Sequence, residues 1–307
     1  MPIEKKICNA DGVRLDTYIA EVFDSSYSRS FYKRLIDDGK ITVNGKLITK
    51  AGTKLSSGDV IEADIPAPVE DDSFVAQDIP LDIVYEDSDL LVINKPQGMV
   101  VHPAAGHREG TLVNALLAYC KDDLSDINGV LRPGIVHRLD KDTSGLMLAC
   151  KNNQTHLKLA DMLSRHEIVR EYRALLYGFV KEDKGMIDAP IGRSSTDRRK
   201  MAVIKDGKPA VTHFEVVERL GDITDTKLIL ETGRTHQIRV HMSYIGYPVV
   251  GDPVYAPRRK NYGIQGQALH SKAITFVHPT TGETMHFESE LPEYYTALLD
   301  SFRPHIG

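Results

Sequence analysis

The stretch Gly134 to Asn152, GIVHRLDKDTSGLMLACKN, sets a polar loop between two apolar runs, Ile135-Val136 and Leu146–Ala149. The loop holds His137, Arg138, Asp140, Asp142, Thr143 and Ser144. A carboxylate in such a loop is a nucleophile if it stays ionised, and an arginine within reach lowers a carboxyl pKa by about 1–3. Arg138 lies two residues from Asp140. Arg239, in the stretch Leu228 to Ala256, LILETGRTHQIRVHMSYIGYPVVGDPVYA, can reach it from a distance. By residue type alone, an Asp–Arg pair is more often a structural ion pair than a catalytic one, and spacing does not decide between them.

Other chemistries find less support. There is no glycine-rich phosphate loop of the P-loop or dinucleotide type and no GxSxG elbow. Twelve histidines invite a test for a metal. His236 and His241 are five apart, as are His102 and His107. On a helix that separation turns side chains about 140° from each other, and on a strand it sends them to opposite faces. Neither is a good zinc pair, so no metal is expected. Cys8, Cys120 and Cys150 form no CxxC pair and no disulfide framework, which fits a reducing compartment. Asp140-Lys141-Asp142-Thr143 resembles the paired-aspartate loop of haloacid-dehalogenase-type phosphatases, which need Mg²⁺. Thr143 comes one residue early for that, and His137-Arg138 replaces the apolar strand expected before the first aspartate.

The surrounding pattern says what must position these groups. Ile83–Tyr85 and Leu90–Ile93 read as strands around an acidic turn, broken by Lys95-Pro96-Gln97-Gly98. Residues Asn153 to His166 fit a helix whose apolar face runs through Leu157, Ala160 and Leu163. Val169 to Val180, VREYRALLYGFV, is a strand with Tyr172, Ala174 and Leu176 on one face. A further strand ends at Thr232-Gly233, and Thr235 caps a helix carrying His236, Arg239 and Ser243.

At 307 residues the chain is long enough for two units, and its 41% hydrophobic and 26% charged residues are those of an ordinary globular protein. No run approaches 18 apolar residues, and no secretory signal follows Met1, so a cytoplasmic location is expected. A net charge of −5 gives no overall sign of nucleic-acid binding, but it hides local blocks. Between Ser25 and Lys54 lie Arg29, Lys33, Arg34, Lys40, Lys46, Lys50 and Lys54, opposed only by Asp37 and Asp38. There Arg14 to Phe23 reads as a short helix through Leu15, Tyr18, Ile19 and Val22. A second helix, capped by Ser28 and stopped at Gly39, has Phe31, Leu35 and Ile36 on one face and Arg29 and Lys33 on another. Asn44-Gly45 makes a tight hairpin turn. Such a basic surface is either a solvated face or a contact for a polyanion. Two further blocks invite the same question: Arg193, Arg198, Arg199, Lys200, Lys205 and Lys208, and then Arg258, Arg259 and Lys260. Pro66-Ala67-Pro68 and the acidic trio Glu70 to Asp72 mark residues 67–78 as a linker.

The segments RLDTYIAEVF, SRSFYKRLIDDGKITVNGK and GDVIEADIP resemble the S4 RNA-binding module over residues 12–66. HRLDKDTSG, REYRALLYG, GRTHQIRVHMSYIGYPVVGD, DLLVINKPQGMVVHP and GQALHS with His270 resemble the RluA/RluD family of pseudouridine synthases over nearly all of residues 79–300. The resemblance implies an α+β fold in both units: a small S4-like α+β RNA-binding domain (12–66), then a catalytic domain (79–302) with a mixed, largely antiparallel sheet. It implies an isomerase of uridine in structured RNA, of the branch that modifies large-subunit ribosomal RNA, with no cofactor. Asp140 would be the nucleophile, Tyr172 would stack on the uracil and Arg239 would hold Asp140 ionised. Arg138 would enter the RNA stack, with His137, Thr143 and Ser144 around the bound nucleotide and Arg29, Lys33 and Arg34 on the RNA. Ile238 and Leu230 read as core, with one of them a wall for the uracil. RNA is the expected partner, to a monomer without an obligate protein partner. A non-catalytic RNA-binding factor is the rival reading.

Overall fold

The computed structural model describes residues 3–23, 29–65, 75–103, 108–121, 123–126, 133–197 and 200–303. Ser28 as a cap, Pro66 to Asp72 of the linker, His107, Arg198 and Arg199 lie outside them, as does the side chain of Arg29.

The first elements are β1 (Ile3–Ile7), α1 (Leu15–Val22), α2 (Arg29–Asp37), β2 (Ile41–Val43), β3 (Lys46–Leu47) and β4 (Val60–Asp64). The four strands pair antiparallel in the order β1-β4-β2-β3. Asn44 and Gly45 have φ of 52° and 72°, the left-handed pair a two-residue hairpin needs. Leu15, Tyr18 and Ile19 pack with Tyr32, Leu35 and Ile36 over Ile41, Ile61 and Ala63. Tyr32 is fully buried and leads the inner face of α2 while Phe31 borders it, because 32, 35 and 36 form the tighter helical stripe. β1 left no trace in the sequence reading. Three of the five residues of its IEKKI are charged, Glu4 to Ile7 are exposed, and pairing with β4 holds it.

Then come β5 (Ile83–Glu86), β6 (Leu90–Lys95), α3 (Leu112–Cys120), β7 (Ser144–Cys150), α4 (Asn153–Ser164), β8 (Val169–Tyr177) and β9 (Lys184–Asp188). They are followed by β10 (Ile191–Arg193), β11 (Met201–Val203), β12 (Val211–Leu220), β13 (Ile223–Leu230), α5 (Gln237–Tyr244), β14 (Leu269–Val277), β15 (Thr284–Glu288) and α6 (Glu293–Phe302). Nine strands form one sheet, ordered β5-β6-β7-β14-β8-β13-β12-β9, with β15 on the far half of β14; β10 and β11 pair apart. Every ladder among the described strands is antiparallel except β7–β14. The architecture is α+β with a mixed, largely antiparallel sheet, as the resemblance implied.

The sheet is buried on both faces, so its central strands read as nearly continuous apolar runs. Leu91 and Ile93 of β6, Met147 and Ala149 of β7, and Tyr172, Ala174 and Leu176 of β8 face α3 and α5. Leu90, Val92, Leu146 and Leu148 face α4, and Leu175 and Tyr177 face α6. The inner face of α4 is not the one the apolar count suggested. Thr155, His156, Leu159 and Met162 are buried, and Leu157 is 53% exposed. Polar contacts set the rotation: Asn152 caps the helix at Thr155, and His156 Nδ1 lies 2.9 Å from Ser125 Oγ.

Candidate active site

The loop before β7 is held from three directions. Lys95, the last residue of β6, is fully buried. Its ammonium donates to the carbonyls of Pro96, Met99 and Lys141 at 2.8, 2.9 and 3.1 Å. Burial pushes its pKa down to about 7, against the charges of Asp142 and Asp140. Gln97 donates to the Asp142 carbonyl at 3.1 Å. Behind the loop, Gly145 has φ 108°, and a Cβ there would meet the Ser271 carbonyl oxygen at 2.2 Å. Only glycine lets β14 run parallel against β7 at this point.

The second part arrives on α5. β13 ends at Leu230, two residues before the point expected, and Thr235 does not cap the helix. His236 is the N-cap, with φ 58° and ψ 20° and no capping bond of its own side chain. Gln237 does the anchoring. Its Oε1 accepts from the Arg234 amide at 3.0 Å and from Thr232 Oγ1 at 2.7 Å, and its Nε2 donates to the Val211 carbonyl at 2.9 Å. Its side chain ties the first turn of α5 to the loop before it and to β12.

Arg239 is thereby fixed between two carboxylates. Its Nε and Nη2 donate to Asp252 Oδ2 and Oδ1 at 2.7 and 2.9 Å. Nη1 is left for Asp140 Oδ2 at 2.8 Å. Asp252 Oδ1 also accepts from the amides of Val254 and Tyr255. The guanidinium carbon lies 5.2 Å from the centre of the Tyr255 ring, a cation–π arrangement. Burial alone would lower the Arg239 pKa, but the Asp252 hydrogen bonds and both carboxylate charges more than reverse that, so it rises.

His236 completes this wall. Its Nδ1 lies 2.9 Å from Tyr255 Oη, which accepts from the Met201 amide at 2.9 Å. Which of Tyr255 Oη and His236 Nδ1 donates in this contact depends on the imidazole tautomer. Nε2 faces Asp140 Oδ1 at 3.8 Å. Burial holds His236 below the usual imidazole range, against the Asp140 charge, so the ring is neutral.

Asp140, Arg239 and Tyr172 line one cleft of about 530 Å³, within the range of small-ligand sites. Leu230 and Ile238 line it too, and both are buried. Burial raises the Tyr172 pKa, so its hydroxyl is protonated at neutral pH. Arg138 is an exposed residue of the cleft, with Nη1 3.5 Å from His102 Nε2. His137 also lines it. Its Nε2 accepts from the Leu148 amide at 3.0 Å, and burial together with the Arg170 charge pushes its pKa down to about 3. It is a neutral brace on β7, not a cation for RNA. Thr143 lines the cleft, but its hydroxyl accepts from Gln267 Nε2 at 3.0 Å.

Ser144 departs from the expected set. It lines a second cavity beside Lys95, and its Oγ lies 2.8 Å from His270 Nδ1 and 2.9 Å from Tyr294 Oη. Alternation along β7 turns it away from Asp140. Asp142 does not line the cleft either, so the paired-aspartate phosphatase arrangement is not formed. Lys33 and Arg34 are exposed on α2, one 3.7 Å from Asp37 and the other 6.0 Å from the Phe31 ring centre. His241 points into the core, where it meets Thr212 Oγ1 and the Ala189 carbonyl, and makes no pair with His236. Asp87, Asp89 and His278 bring ligating atoms within 4.8 Å elsewhere, but Asp87 already accepts from the Asp89 and Leu90 amides and pairs with His278.

Asp252, Tyr255, Gln237 and Lys95 were not singled out from sequence. Asp252 had one signal, a lone acid inside the otherwise uncharged YPVVGDPVYA.

Among known proteins, the model of the RNA pseudouridylate synthase family matches residues 89–244, and that of the S4 domain matches residues 13–61. The uncharacterized RNA pseudouridine synthase YlyB of Bacillus subtilis is 50% identical over 290 residues, 94% of each chain. Ribosomal large subunit pseudouridine synthase D of Pseudomonas aeruginosa is 47% identical over 309 residues, 95% of this chain and 92% of that one. The structure of human RNA pseudouridylate synthase domain containing 1 superposes with a TM-score of 0.56 at 26% identity, over 73% of this chain and 94% of that one. No described helix is long and apolar enough to cross a membrane.

Proposed function

Because the chain belongs to the RNA pseudouridylate synthase family and carries an S4 domain, we propose that it converts specific uridines of large-subunit ribosomal RNA to pseudouridine, with Asp140 as nucleophile and the target base everted. The relatives named ribosomal large subunit pseudouridine synthase D support that substrate. The reaction breaks N1–C1′ and forms C5–C1′; one proton leaves C5 and one is taken up at N1. No atom is added and no electron is transferred, so the reading calls for no metal or cofactor.

The observation that carries the reading is the meeting of Asp140, Arg239 and Tyr172 in one cleft, from three distant parts of the chain. Asp140 attacks the uridine and lets its glycosidic bond break. Arg239, gripped by Asp252, holds the Asp140 carboxylate through Nη1. Tyr172 flanks the uracil, and Leu230 and Ile238 close the pocket, which keeps the detached ring in place and water out. Eversion costs a few kcal/mol. Stacking on an aromatic ring and an arginine in the vacated gap offset it, and Arg138 at the exposed side of the cleft is that arginine.

In this reading residues 12–66 dock RNA through backbone contacts, with Arg29, Lys33 and Arg34 on that surface. Residues 67–78 are a linker and 79–302 the catalytic domain. The protein acts as a monomer in the cytoplasm and has no obligate protein partner. The test is to map pseudouridines in ribosomal RNA from cells lacking the protein, then to restore either the native chain or Asp140→Asn. Defined positions should revert to uridine, and only the native chain should bring pseudouridine back. Restoration by Asp140→Asn would exclude the nucleophile; an unchanged map in the deleted cells would exclude the substrate.

A further inference from the structure

Among the described residues, Arg170 is a buried charge with no carboxylate paired to it. It lies on β8 two residues before Tyr172, so both side chains leave the strand on one face, and both line the cleft. Arg170 is 6% exposed. Its Nη2 reaches only the Glu231 carbonyl, at a long 3.4 Å, and its Nε is buried with no acceptor. The carboxylates around it are engaged elsewhere: Glu231, whose carbonyl it touches, pairs with His213 at 2.6 Å, and its chain neighbours Glu171 and Glu167 pair with Lys227 at 2.8 Å and Arg165 at 3.2 Å. The comparable arginines of this sheet and its helix are matched, Arg173 by Asp225 and Arg239 by Asp252 and Asp140.

The loop between β13 and α5 leaves the guanidinium approachable. A Cβ at Gly233 would lie 2.7 Å from Arg170 Nη1, and the φ of Gly233 is outside the left-handed region. The Gly233 backbone thus lies directly against the guanidinium. An unpaired guanidinium out of water costs free energy, and a ligand that brings a full negative charge relieves it. A uracil carbonyl is neutral and does not. The planar fork of N–H donors matches two oxygens of a phosphate.

We propose that Arg170 is a phosphate-binding residue, which takes the phosphodiester next to the uridine whose base lies beside Tyr172. The proposal rests on the reading of this cleft as a uridine site. The test uses a synthetic RNA whose uridine the native protein converts. The phosphodiester on each side of that uridine is replaced in turn by a neutral methylphosphonate. With the native protein, one of the two replacements should lower kcat/KM about 10- to 100-fold, the range for a hydrogen bond to a charged group. Arg170→Met should lose a similar factor on unmodified RNA, and the same replacement should then cost nothing more. Arg170→Met should also melt no lower than the native protein, because it gives up no ion pair. Losses that multiply, or a melting temperature lowered by several degrees, would overturn the proposal. If the native protein converts no uridine in any RNA, the function reading falls and this one with it; if it converts and the losses multiply, this one falls alone.

Discussion

Asp252 and Asp140 hold the same guanidinium, yet their removal should have opposite signatures. In Asp252→Asn the amide oxygen can stay where Oδ1 is, still accepting from Arg239 Nη2 and the amides of Val254 and Tyr255. The amide nitrogen then replaces Oδ2 and faces Arg239 Nε–H, where the bond was 2.7 Å, donor against donor. Asp252 is wholly buried and the Arg239 side chain 5% exposed. Removing one side of a buried ion pair costs about 3–5 kcal/mol. At about 2–4 °C per kcal/mol for a unit of this size, the melting temperature should fall by about 6–20 °C. In Asp140→Asn the carboxylate lost is 17% exposed, and the amide oxygen can still accept from Nη1. That costs about 1 kcal/mol, a fall of no more than about 4 °C. Thermal unfolding of both variants measures this, alongside tritium release from RNA labelled at uracil C5. Asp140→Asn should release none and melt almost like the native protein; Asp252→Asn should melt early and retain weak turnover. If Asp140→Asn melts as low as Asp252→Asn, the arginine is not anchored from behind, and the reasoning fails.

Three further expectations concern the supports of the site. Lys95→Met removes the contact to the Lys141 carbonyl that ties the Asp140 loop to β6, and those to the Pro96 and Met99 carbonyls of the turn beside it, so kcat should fall at least tenfold while RNA affinity in a filter-binding assay stays within about twofold. Gly145→Ala places a methyl 2.2 Å from the Ser271 carbonyl in a left-handed backbone; the left-handed strain alone is about 1–2 kcal/mol, and urea unfolding should show a larger loss than that. Burial pushes His156 and His270 down to about 4, below the unfolded value of about 6.5. The unfolded chain therefore binds more protons between those pH values, and the stability is fully present above pH 6.5 and lost as pH falls toward 4. The slope is up to about 1.4 kcal/mol per pH unit for each. Urea midpoints should decline over that window, and less steeply in a His156→Asn, His270→Asn variant.

What the sequence revealed and what it concealed divide along a physical line. The Asn44-Gly45 turn, the alternation through Tyr172, Ala174 and Leu176, and the polar loop at Asp140 are local patterns, and the structure follows each. The Arg239–Asp140 contact spans 99 residues, and residue type made it a candidate without deciding its role. Asp252 and Lys95 stayed hidden because their importance lies in their partners: one is the back of the arginine clamp, the other a buried cation among carbonyls. The rotation of α4 was misjudged for a related reason. A tally of apolar residues gives Leu157 and Leu163 more weight than Thr155 and His156, but a cap and one buried hydrogen bond turned the helix. Ser144 was grouped with Asp140 by proximity in the chain, although a strand begins between them and turns its hydroxyl to another cavity.

In the large sheet, β14 lies between β7 and β8, although the chain reaches it after both. Without residues 269–277 in that place, no ladder among the described residues joins the half bearing the carboxylate to the half bearing the tyrosine and the guanidinium. A polypeptide that ends at residue 268 carries Asp140, Tyr172 and Arg239 and lacks the strand that sets the two halves of the sheet side by side.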